Sequence, residues 1–444
     1  MTQTLATASH RFLDVKRDRP VVDSLLDTDF YKLLMLQFIW KFHPSANVTF
    51  GLKNRTTRVK LASALDLGDL RSQLDHVKQL TFTSSEMAWL RGQTFYGQSG
   101  LFEPGFLDFL RTLRLSDYAL DTTEDGQVEL VFEGTWAQAT LWEIPALSIV
   151  SELRARRAME QFSARDTDVL YGRAMARLDD KLARLATVDN LNLTDFGTRR
   201  RHSRAWQVWC VERARDVLGA NFTGTSNARL AMDLDLEARG TNAHELPMVM
   251  AALAGNDDAA LLDSQYEVLR QWQRLYRGGL LMMLPDTFGT TQFLDRLSPI
   301  MARAWAGARP DSKPPVEAGE ELIAFWKGLG MDTTKQLLLF SDGLDVAIPG
   351  GPEVASDIVD IHARFKDRAR LGFGWGTHLT NDLARGDHPL APISLVCKAT
   401  SANGRSCVKL SDVSSKATGS PIEIDRYFRV FGDKGVKEGR AQIV

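Results

Sequence analysis

Between about residue 145 and residue 380 the chain repeats one pattern: a short apolar run, a cluster of small polar residues, then an amphipathic segment of helical period. Apolar runs that alternate with helices are typical of a parallel sheet whose strands are buried on both faces. The runs with their polar ends are 191–199, 220–226, 236–242, 280–287, 304–312, 337–343 and 370–377. Seven such units favour an irregular (β/α) barrel over an open sheet, because a barrel gathers every polar end around one mouth.

The chain on either side of this repeat predicts a smaller α/β domain. Residues 1–20 are expected to form a loose arm, and the run from Phe30 suits a helix capped by Asp27 or Asp29. Further predictions are a strand at 47–52, helices near 62–80, 84–92 and 105–114, a hairpin of strands 127–133 and 135–141 that turns at Gly134, and a second hairpin of 393–398 and 406–410 around Asn403-Gly404. We therefore expect an N-terminal domain over 1–143, the barrel with the active site over 144–385, and a segment over 386–444 that returns to the N-terminal domain.

Composition excludes several classes of protein. With 444 residues, 44% hydrophobic and 25% charged, the chain resembles an ordinary globular protein, and its net charge of −2 argues against a nucleic-acid or membrane-surface binder. A local cationic pocket remains compatible with that charge. Cys210, Cys397 and Cys407 are too few for a disulfide framework, which favours a reducing compartment. No apolar leader and no run of membrane-spanning length occurs, so we expect a cytoplasmic protein.

The segment Arg239–Glu245 carries the strongest candidate for chemistry. Gly240 allows a tight backbone, and His244 beside Glu245 is a candidate nucleophile or acid/base. Taken alone, such a histidine is more often an ordinary surface or core residue. The other histidines are scattered, and the helical partner of His244 at position 248 is methionine, so zinc is not expected.

Polar ends of the other runs suggest an anionic ligand. The segment 372–377 offers glycine amides and the Thr377 hydroxyl, either as a phosphate cradle or as a tight turn. Residues 199–201 are three arginines, of which at least one is expected to meet a pyrophosphate or carboxylate. Asp311 and Asp342 follow strand ends, where they would bind ribose hydroxyls or Mg²⁺, or cap the following helices. Together these ends predict a phosphosugar substrate.

Six short stretches, in order, resemble the nicotinate phosphoribosyltransferase family. They are Asp27-Thr-Asp-Phe-Tyr-Lys32, Asp195-Phe-Gly-Thr-Arg-Arg-Arg201, Gly224-Thr-Ser-Asn227, Gly240-Thr-Asn-Ala-His-Glu245, Phe340-Ser-Asp-Gly343 and Gly374-Trp-Gly-Thr377. The likeness runs from about residue 23 to about residue 415 and is closest to the bacterial form. It implies a type II phosphoribosyltransferase fold, an irregular barrel packed against a smaller α/β domain, and often a homodimer.

The resemblance also implies a reaction and a role for each matching residue. Nicotinate and phosphoribosyl pyrophosphate would give nicotinate mononucleotide and pyrophosphate, with Mg²⁺ and with ATP hydrolysed through a phosphohistidine at His244 that Glu245 orients. Nicotinate would meet Tyr31, Phe196, Ser226 and Arg199, and the phosphoribosyl donor would meet Arg309, Asp311, Asp342, Gly343, Gly374, Gly376 and Thr377. Ser226 stands where the enzyme for nicotinamide has an aspartate, which would repel a carboxylate.

One stretch departs from the family. The usual Asp-Ser-Gly-Asp-Pro is here Asp311-Ser-Lys-Pro-Pro315, which is expected to stiffen the loop, remove a carboxylate linked to Mg²⁺ and weaken ATP coupling. Two alternatives therefore stay open. One is a related transferase with another pyridine acceptor, such as quinolinate or nicotinamide. The other is a non-catalytic nucleotide-binding descendant.

Overall fold

The structure is a computed structural model that describes residues 20–94 and 100–438. Nearly all of the arm predicted for residues 1–20 lies outside these ranges. In chain order the strands are β1 Asn47–Asn54, β2 Tyr118–Thr122, β3 Val128–Thr135, β4 Leu193–Asp195, β5 Phe222–Thr225, β6 Met282–Met283, β7 Gly307–Ala308, β8 Leu337–Phe340, β9 Arg370–Trp375, β10 Leu395–Ala402 and β11 Arg405–Ser406.

Helices surround both sheets. They are Phe30–Phe42, Leu61–Ala64, Leu67–Gln79, Ser84–Arg91, Pro104–Thr112, Trp136–Thr140, Glu143–Met159, Ala164–Leu185, Arg204–Leu218, Ala228–Asp233, Glu245–Leu253, Asp258–Leu275, Thr290–Arg296, Pro299–Ala304, Pro315–Gly328, Ile358–Phe365, Thr377–Thr380 and Pro421–Phe431. Within the described ranges, no helix is both long enough and apolar enough to cross a bilayer.

An antiparallel sheet joins the two ends of the chain. Its order is β11-β10-β1-β3-β2, so the C-terminal strand β10 lies beside β1, with Gly51 opposite Lys398 and Leu52 opposite Cys397. The predicted turn at Asn403-Gly404 is present between β10 and β11, and both residues have positive φ, as a type I′ turn requires. The C-terminal segment therefore belongs to the same sheet as the N-terminal strands.

The hairpin predicted around Gly134 is wrong. Strand β3 continues through Gly134 to Thr135, and a helix begins at Trp136. The strand ends there because the Gln138 side-chain oxygen accepts hydrogen bonds from the Thr135 amide, at 3.3 Å, and hydroxyl, at 2.8 Å. Gly134 serves close packing instead, since a Cβ there would lie 2.8 Å from Cβ of Ser116. The antiparallel partners of β3 are β1 and β2.

A parallel sheet forms the second layer and confirms the α/β class. Its order is β5-β4-β9-β8-β7-β6, and every pairing is parallel, so the carboxyl ends of all six strands lie at one edge. One of the seven predicted runs, 236–242, is not a regular strand. It makes a single bridge to β5 through Ala238, and the side-chain amide of Asn242 donates to the Met282 carbonyl of β6 at 3.1 Å. This segment therefore contacts both end strands of the sheet.

The start of the first helix is tied to the parallel sheet by a buried ion pair. Arg201 donates two hydrogen bonds of 2.7 Å to Asp27, and Asn227 donates a third of 2.7 Å. Burial opposes ionisation of Asp27, but the charge and hydrogen bonds of Arg201 outweigh it and hold the pKa of Asp27 below its usual 3.8. Neither predicted cap works as expected, because Asp27 binds Arg201 and Asp29 accepts from Ser226.

Arg201→Leu tests this tie. The variant leaves Asp27 buried without a counter-charge, so we expect a loss of about 3–5 kcal/mol in the free energy of unfolding at pH 7, measured by denaturant titration. Because the wild-type pKa of Asp27 is lowered, its contribution is present at neutral pH and is lost in acid, so the difference should shrink below about pH 4. Arg213→Leu, at the exposed pair with Asp179, should cost less than about 1 kcal/mol. Equal losses in the two variants would contradict the prediction.

Candidate active site

One cavity opens where the carboxyl ends of the parallel strands face the antiparallel sheet. Of the residues singled out from the sequence, those that line it are Tyr31, Phe196, Arg199, Ser226, His244, Glu245, Arg309, Asp311, Asp342, Gly343, Gly376 and Thr377. The opposite wall comes from β1 and β10, through Phe50, Val396 and Lys398. Polar strand ends that the sequence predicted to meet around one mouth therefore do line one cavity, and β1 and β10 form its opposite wall.

His244 lies at the polar end of this cavity, directly before the helix that starts at Glu245. Its Nδ1 is 2.9 Å from the Thr287 hydroxyl, and its Nε2 is 3.1 Å from a carboxylate oxygen of Asp311 and 3.0 Å from the Lys409 ammonium. Asp286 lies slightly farther from Nε2, at 3.5 Å. Burial lowers the pKa of His244 to about 4, although the charge of Asp286 opposes that shift. The lowered pKa favours the neutral ring at pH 7, in which one nitrogen carries a proton and the other a lone pair.

The neutral ring has partners for either tautomer. With the proton on Nε2, the ring donates to Asp311 while Nδ1 accepts from the Thr287 hydroxyl. With the proton on Nδ1, the ring donates to Thr287, and Nε2 accepts from Lys409. The second tautomer presents a nucleophilic nitrogen beside a cation, which suits attack on an anionic phosphorus centre.

Glu245 does not orient the imidazole, contrary to the prediction from the sequence. In the described part of the chain, its carboxylate accepts from the Trp136 indole at 2.6 Å, from the Thr140 hydroxyl at 2.7 Å and from Lys32 at 2.5 Å. The two neighbours point apart because His244 precedes the helix and faces the cavity, whereas Glu245 is its first residue. Glu245 instead anchors this turn to the helix Phe30–Phe42 and to 136–140.

At the other end of the cavity, two aromatic rings depend on glycine. A Cβ on Gly374 would lie 2.2 Å from the Phe196 ring, and a Cβ on Gly240 would lie 2.6 Å from the Tyr31 amide nitrogen. Gly374 is not among the described residues that line the cavity, and its expected place in a phosphate cradle stays a prediction. Its role is to let the Phe196 ring lie directly on β9.

Asp29 is a residue of this end that the sequence did not reveal. It lines the cavity, and the Ser226 hydroxyl donates to its carboxylate at 2.7 Å. Burial raises the pKa of Asp29 to about 6, against the opposing charge of Arg199. The charge of the cavity wall at Ser226 is therefore set by Asp29 and Arg199 together, and the neutral Ser226 does not determine it alone. Asp29 was noticed as a candidate helix cap, and a capping motif does not indicate a residue that lines a cavity.

Cations outnumber carboxylates around the cavity. The basic lining residues are Arg55, Arg199, Arg200, Arg239, Arg309, Lys398, Lys409 and Lys416, and the acidic ones are Asp29, Glu143, Glu245, Asp311 and Asp342. Burial first, then the charges of Lys409 and Arg55, lower the pKa of Lys398 to about 7. Such crowding of like charges indicates a site for an anion of several charges. Lys398 and Lys416 went unnoticed as candidate site residues because they come from the C-terminal segment, whose pattern indicates only a hairpin.

One group of side chains has the spacing of a cation site. His244, Asp286 and Asp311 offer ligand atoms that all lie within 4.8 Å of one another. Oδ1 of Asp286 is buried and has no hydrogen-bond partner among the described residues. A carboxylate oxygen in that position is the kind of ligand that Mg²⁺ prefers.

Two family profiles match the chain. The nicotinate phosphoribosyltransferase (NAPRTase) family matches residues 191–436, and the N-terminal domain of the same family matches residues 26–151. Among solved structures, the nicotinate phosphoribosyltransferase of Vibrio cholerae is 30% identical, with a TM-score of 0.81 over 95% of each chain. That of Porphyromonas gingivalis is 26% identical, with a TM-score of 0.77 over 93% of this chain and 100% of its own.

Lys32→Met tests the anchor beneath the site. Lys32 is fully buried, and its ammonium lies 2.5 Å from Glu143 and 2.5 Å from Glu245. Removing it leaves the buried Glu245 without a cation and Glu143 with only Arg199, 3.7 Å away, so we expect the free energy of unfolding to fall by about 3–5 kcal/mol in denaturant titrations. Lys41→Met is the matched control on the same helix, because Lys41 pairs with Glu103 at the surface and should contribute less than about 1 kcal/mol. A similar loss in both variants would refute the anchor.

Proposed function

The chain belongs to the nicotinate phosphoribosyltransferase family, and on this premise we propose that it forms nicotinate mononucleotide and pyrophosphate from nicotinate and phosphoribosyl pyrophosphate. We propose further that ATP hydrolysis is coupled to this reaction through phosphorylation of His244. The observation that carries the proposal is the His244 imidazole, whose Nε2 lies 3.0 Å from the Lys409 ammonium in a cationic cavity whose other end is aromatic. The homodimer and the cytoplasmic location expected from the sequence stay predictions.

The aromatic end suits the pyridine substrate. Tyr31 and Phe196 both line the cavity there and offer ring faces to a planar heterocycle. Arg199 lies at the same end, and its guanidinium can form two hydrogen bonds with a carboxylate. Nicotinate presents both features, a flat ring and a carboxylate on it.

The cationic end suits the phosphoribosyl donor. Lys398, Arg55 and Lys409 line the cavity and would meet the pyrophosphate, and Gly376 and Thr377, which also line it, would hold the ribose 5′-phosphate. In the reaction the pyridine nitrogen forms a bond to the anomeric carbon as the bond from that carbon to the pyrophosphate oxygen breaks. The cations stabilise the charge that moves onto the pyrophosphate, and Asp311 lies near the positive charge that develops on the ribose.

Phosphorylation of His244 would change the balance of charge around Lys409. The Nε2 lone pair would attack the terminal phosphorus of ATP, forming the N–P bond while the bond to the ADP oxygen breaks, and Nδ1–H would stay with Thr287. The phosphoryl group would then compete with Asp286 for Lys409, which lies 3.1 Å from that carboxylate. Later attack by water would release phosphate and restore the ring.

Mg²⁺ is part of the proposal as the counter-ion of the phosphate groups. When bound, it neutralises charge on the donor and on ATP. Asp286 and Asp311 would hold it, because both are carboxylates close to His244 and Oδ1 of Asp286 lacks a partner among the described residues. At position 314 the family's usual Asp-Ser-Gly-Asp-Pro has an acid, and this chain has a proline.

Product formation with and without ATP, in wild type and in His244→Ala, is the decisive test. We expect nicotinate mononucleotide in the wild type, stimulation by ATP, and acid-labile phosphate on the protein that is absent in the variant. Turnover that ignores both ATP and His244 would keep the transferase and remove the phosphohistidine. Activity with quinolinate or nicotinamide alone would identify a related transferase, and binding of the donor without turnover of any acceptor would identify a non-catalytic descendant.

Gly374→Ala tests the aromatic end. The added Cβ would collide with the Phe196 ring, so the stacking contribution of about 0.5–1.5 kcal/mol should be lost and the KM for nicotinate should rise about two- to tenfold. The KM for phosphoribosyl pyrophosphate should stay within about twofold, because Gly374 does not border the cationic end. Gly372→Ala on the same strand is the control, since the nearest atom to its Cβ is the end of the flexible Leu339 side chain at 3.1 Å. An unchanged KM for nicotinate in Gly374→Ala would argue against this binding mode.

A further inference from the structure

The groups around the His244 ring come from three separate segments of the chain. Asp286 and Thr287 follow β6, Asp311 follows β7, and Lys409 belongs to the C-terminal segment. Two backbone hydrogen bonds join the first and third segments directly, because the amides of Leu410 and Ser411 donate to the Thr287 carbonyl at 2.9 and 3.1 Å. The hydrogen bonds to the imidazole are therefore only as well placed as the contacts between these segments.

Asp412 joins all three segments. Its carboxylate accepts from the Thr290 amide at 2.6 Å, from the Thr290 hydroxyl at 2.7 Å and from the Ser312 hydroxyl at 2.7 Å, and its own amide donates to Ser312 at 3.3 Å. The side chain is 1% exposed. Thr290, Ser312 and Asp412 thus lie between one and three residues from groups that touch His244, one in each segment.

Lys313 completes this arrangement. Its ammonium lies 3.9 Å from the Asp412 carboxylate and donates to Thr291 at 3.1 Å and to Glu321 at 2.5 Å. Burial raises the pKa of Asp412 and the positive charge of Lys313 opposes that rise, so the lysine supports an ionised carboxylate. The lysine that departs from the family's sequence therefore takes part in a buried network rather than facing solvent.

We propose that Asp412, with Ser312 and Lys313, is a positioning centre that holds Thr287, Asp311 and Lys409 in place around His244. This inference rests on the proposed function, because it assigns these residues to the phosphorylation of His244. None of the three is among the described residues that line the cavity, so they act through other residues and touch no substrate. Their removal should affect the histidine end far more than the pyridine end, where Tyr31 and Phe196 are placed by other contacts.

The test compares Asp412→Asn with Asp357→Asn in the full chain. Asp357 is a matched control because it is also buried, accepts two backbone hydrogen bonds of 2.8 Å, pairs with Arg184 and does not line the cavity. Misplacing the partners of a reacting nitrogen by about an ångström should slow phosphorylation of His244 by ATP about 10- to 100-fold in Asp412→Asn. The KM for nicotinate should stay within about twofold, and Asp357→Asn should match the wild type in both respects. Wild-type phosphorylation in Asp412→Asn would overturn the proposal.

A second readout needs no enzymatic activity. Diethyl pyrocarbonate modifies neutral imidazoles, and peptide mass analysis separates His244 from the seven other histidines. Loosened partners should let His244 react several-fold faster in Asp412→Asn, and to a smaller extent in Ser312→Ala, which removes a single hydroxyl and leaves the fold intact. Ser312→Thr, which keeps the hydroxyl, should restore the wild-type rate. An unchanged rate at His244 in the first two variants would overturn the proposal even if the wild type takes no phosphate from ATP, an outcome that would refute the phosphohistidine instead.

Discussion

The pairing of β1 with β10 is the contact on which the rest of the site depends. It places a strand from the end of the chain beside one from its beginning, across from the polar ends of the parallel strands. Lys398 reaches the cavity from β10 itself, and Lys409 arrives a few residues later beside His244. Without this pairing the parallel sheet would keep its aspartates, its histidine and its arginines but lose Lys398 and Lys409.

Charge is managed differently at the surface of the cavity and beneath it. Beneath it, Lys32 pairs with Glu143 and Glu245 of the cavity wall, and Arg201 binds Asp27, so these buried cations have opposite neighbours. Facing the cavity, Lys398 and Arg55 crowd together and leave an excess of positive charge. The paired charges fix the walls, and the unbalanced ones are left to a ligand. That division explains how a chain with a net charge of −2 forms a strongly cationic site.

The sequence predicted those parts that depend on local pattern. Apolar runs with polar ends predicted the parallel sheet, and Asn403-Gly404 predicted the turn between β10 and β11, because both depend on neighbours a few residues apart. Contacts between distant segments could not be predicted in this way. Glycine at 134 was interpreted as a turn and glycine at 374 as a phosphate cradle, yet each is small because a distant side chain, Ser116 or Phe196, packs against it. Asp29 was noticed only as a helix cap and Asp412 was not assigned to the site, for the same reason, since their partners lie about 200 and 100 residues away.

The position of Lys409 in the chain has a consequence for how the protein is made. A ribosome finishes the parallel strands, His244 and Asp311 well before it reaches residue 409, so an emerging chain holds the histidine without its ammonium partner. Strand β1 waits equally long for β10, with one edge unpaired during most of synthesis. The segment from β10 to Lys409 thus supplies both the strand that pairs with β1 and the ammonium that contacts His244. A chain that terminates before this segment has neither contact.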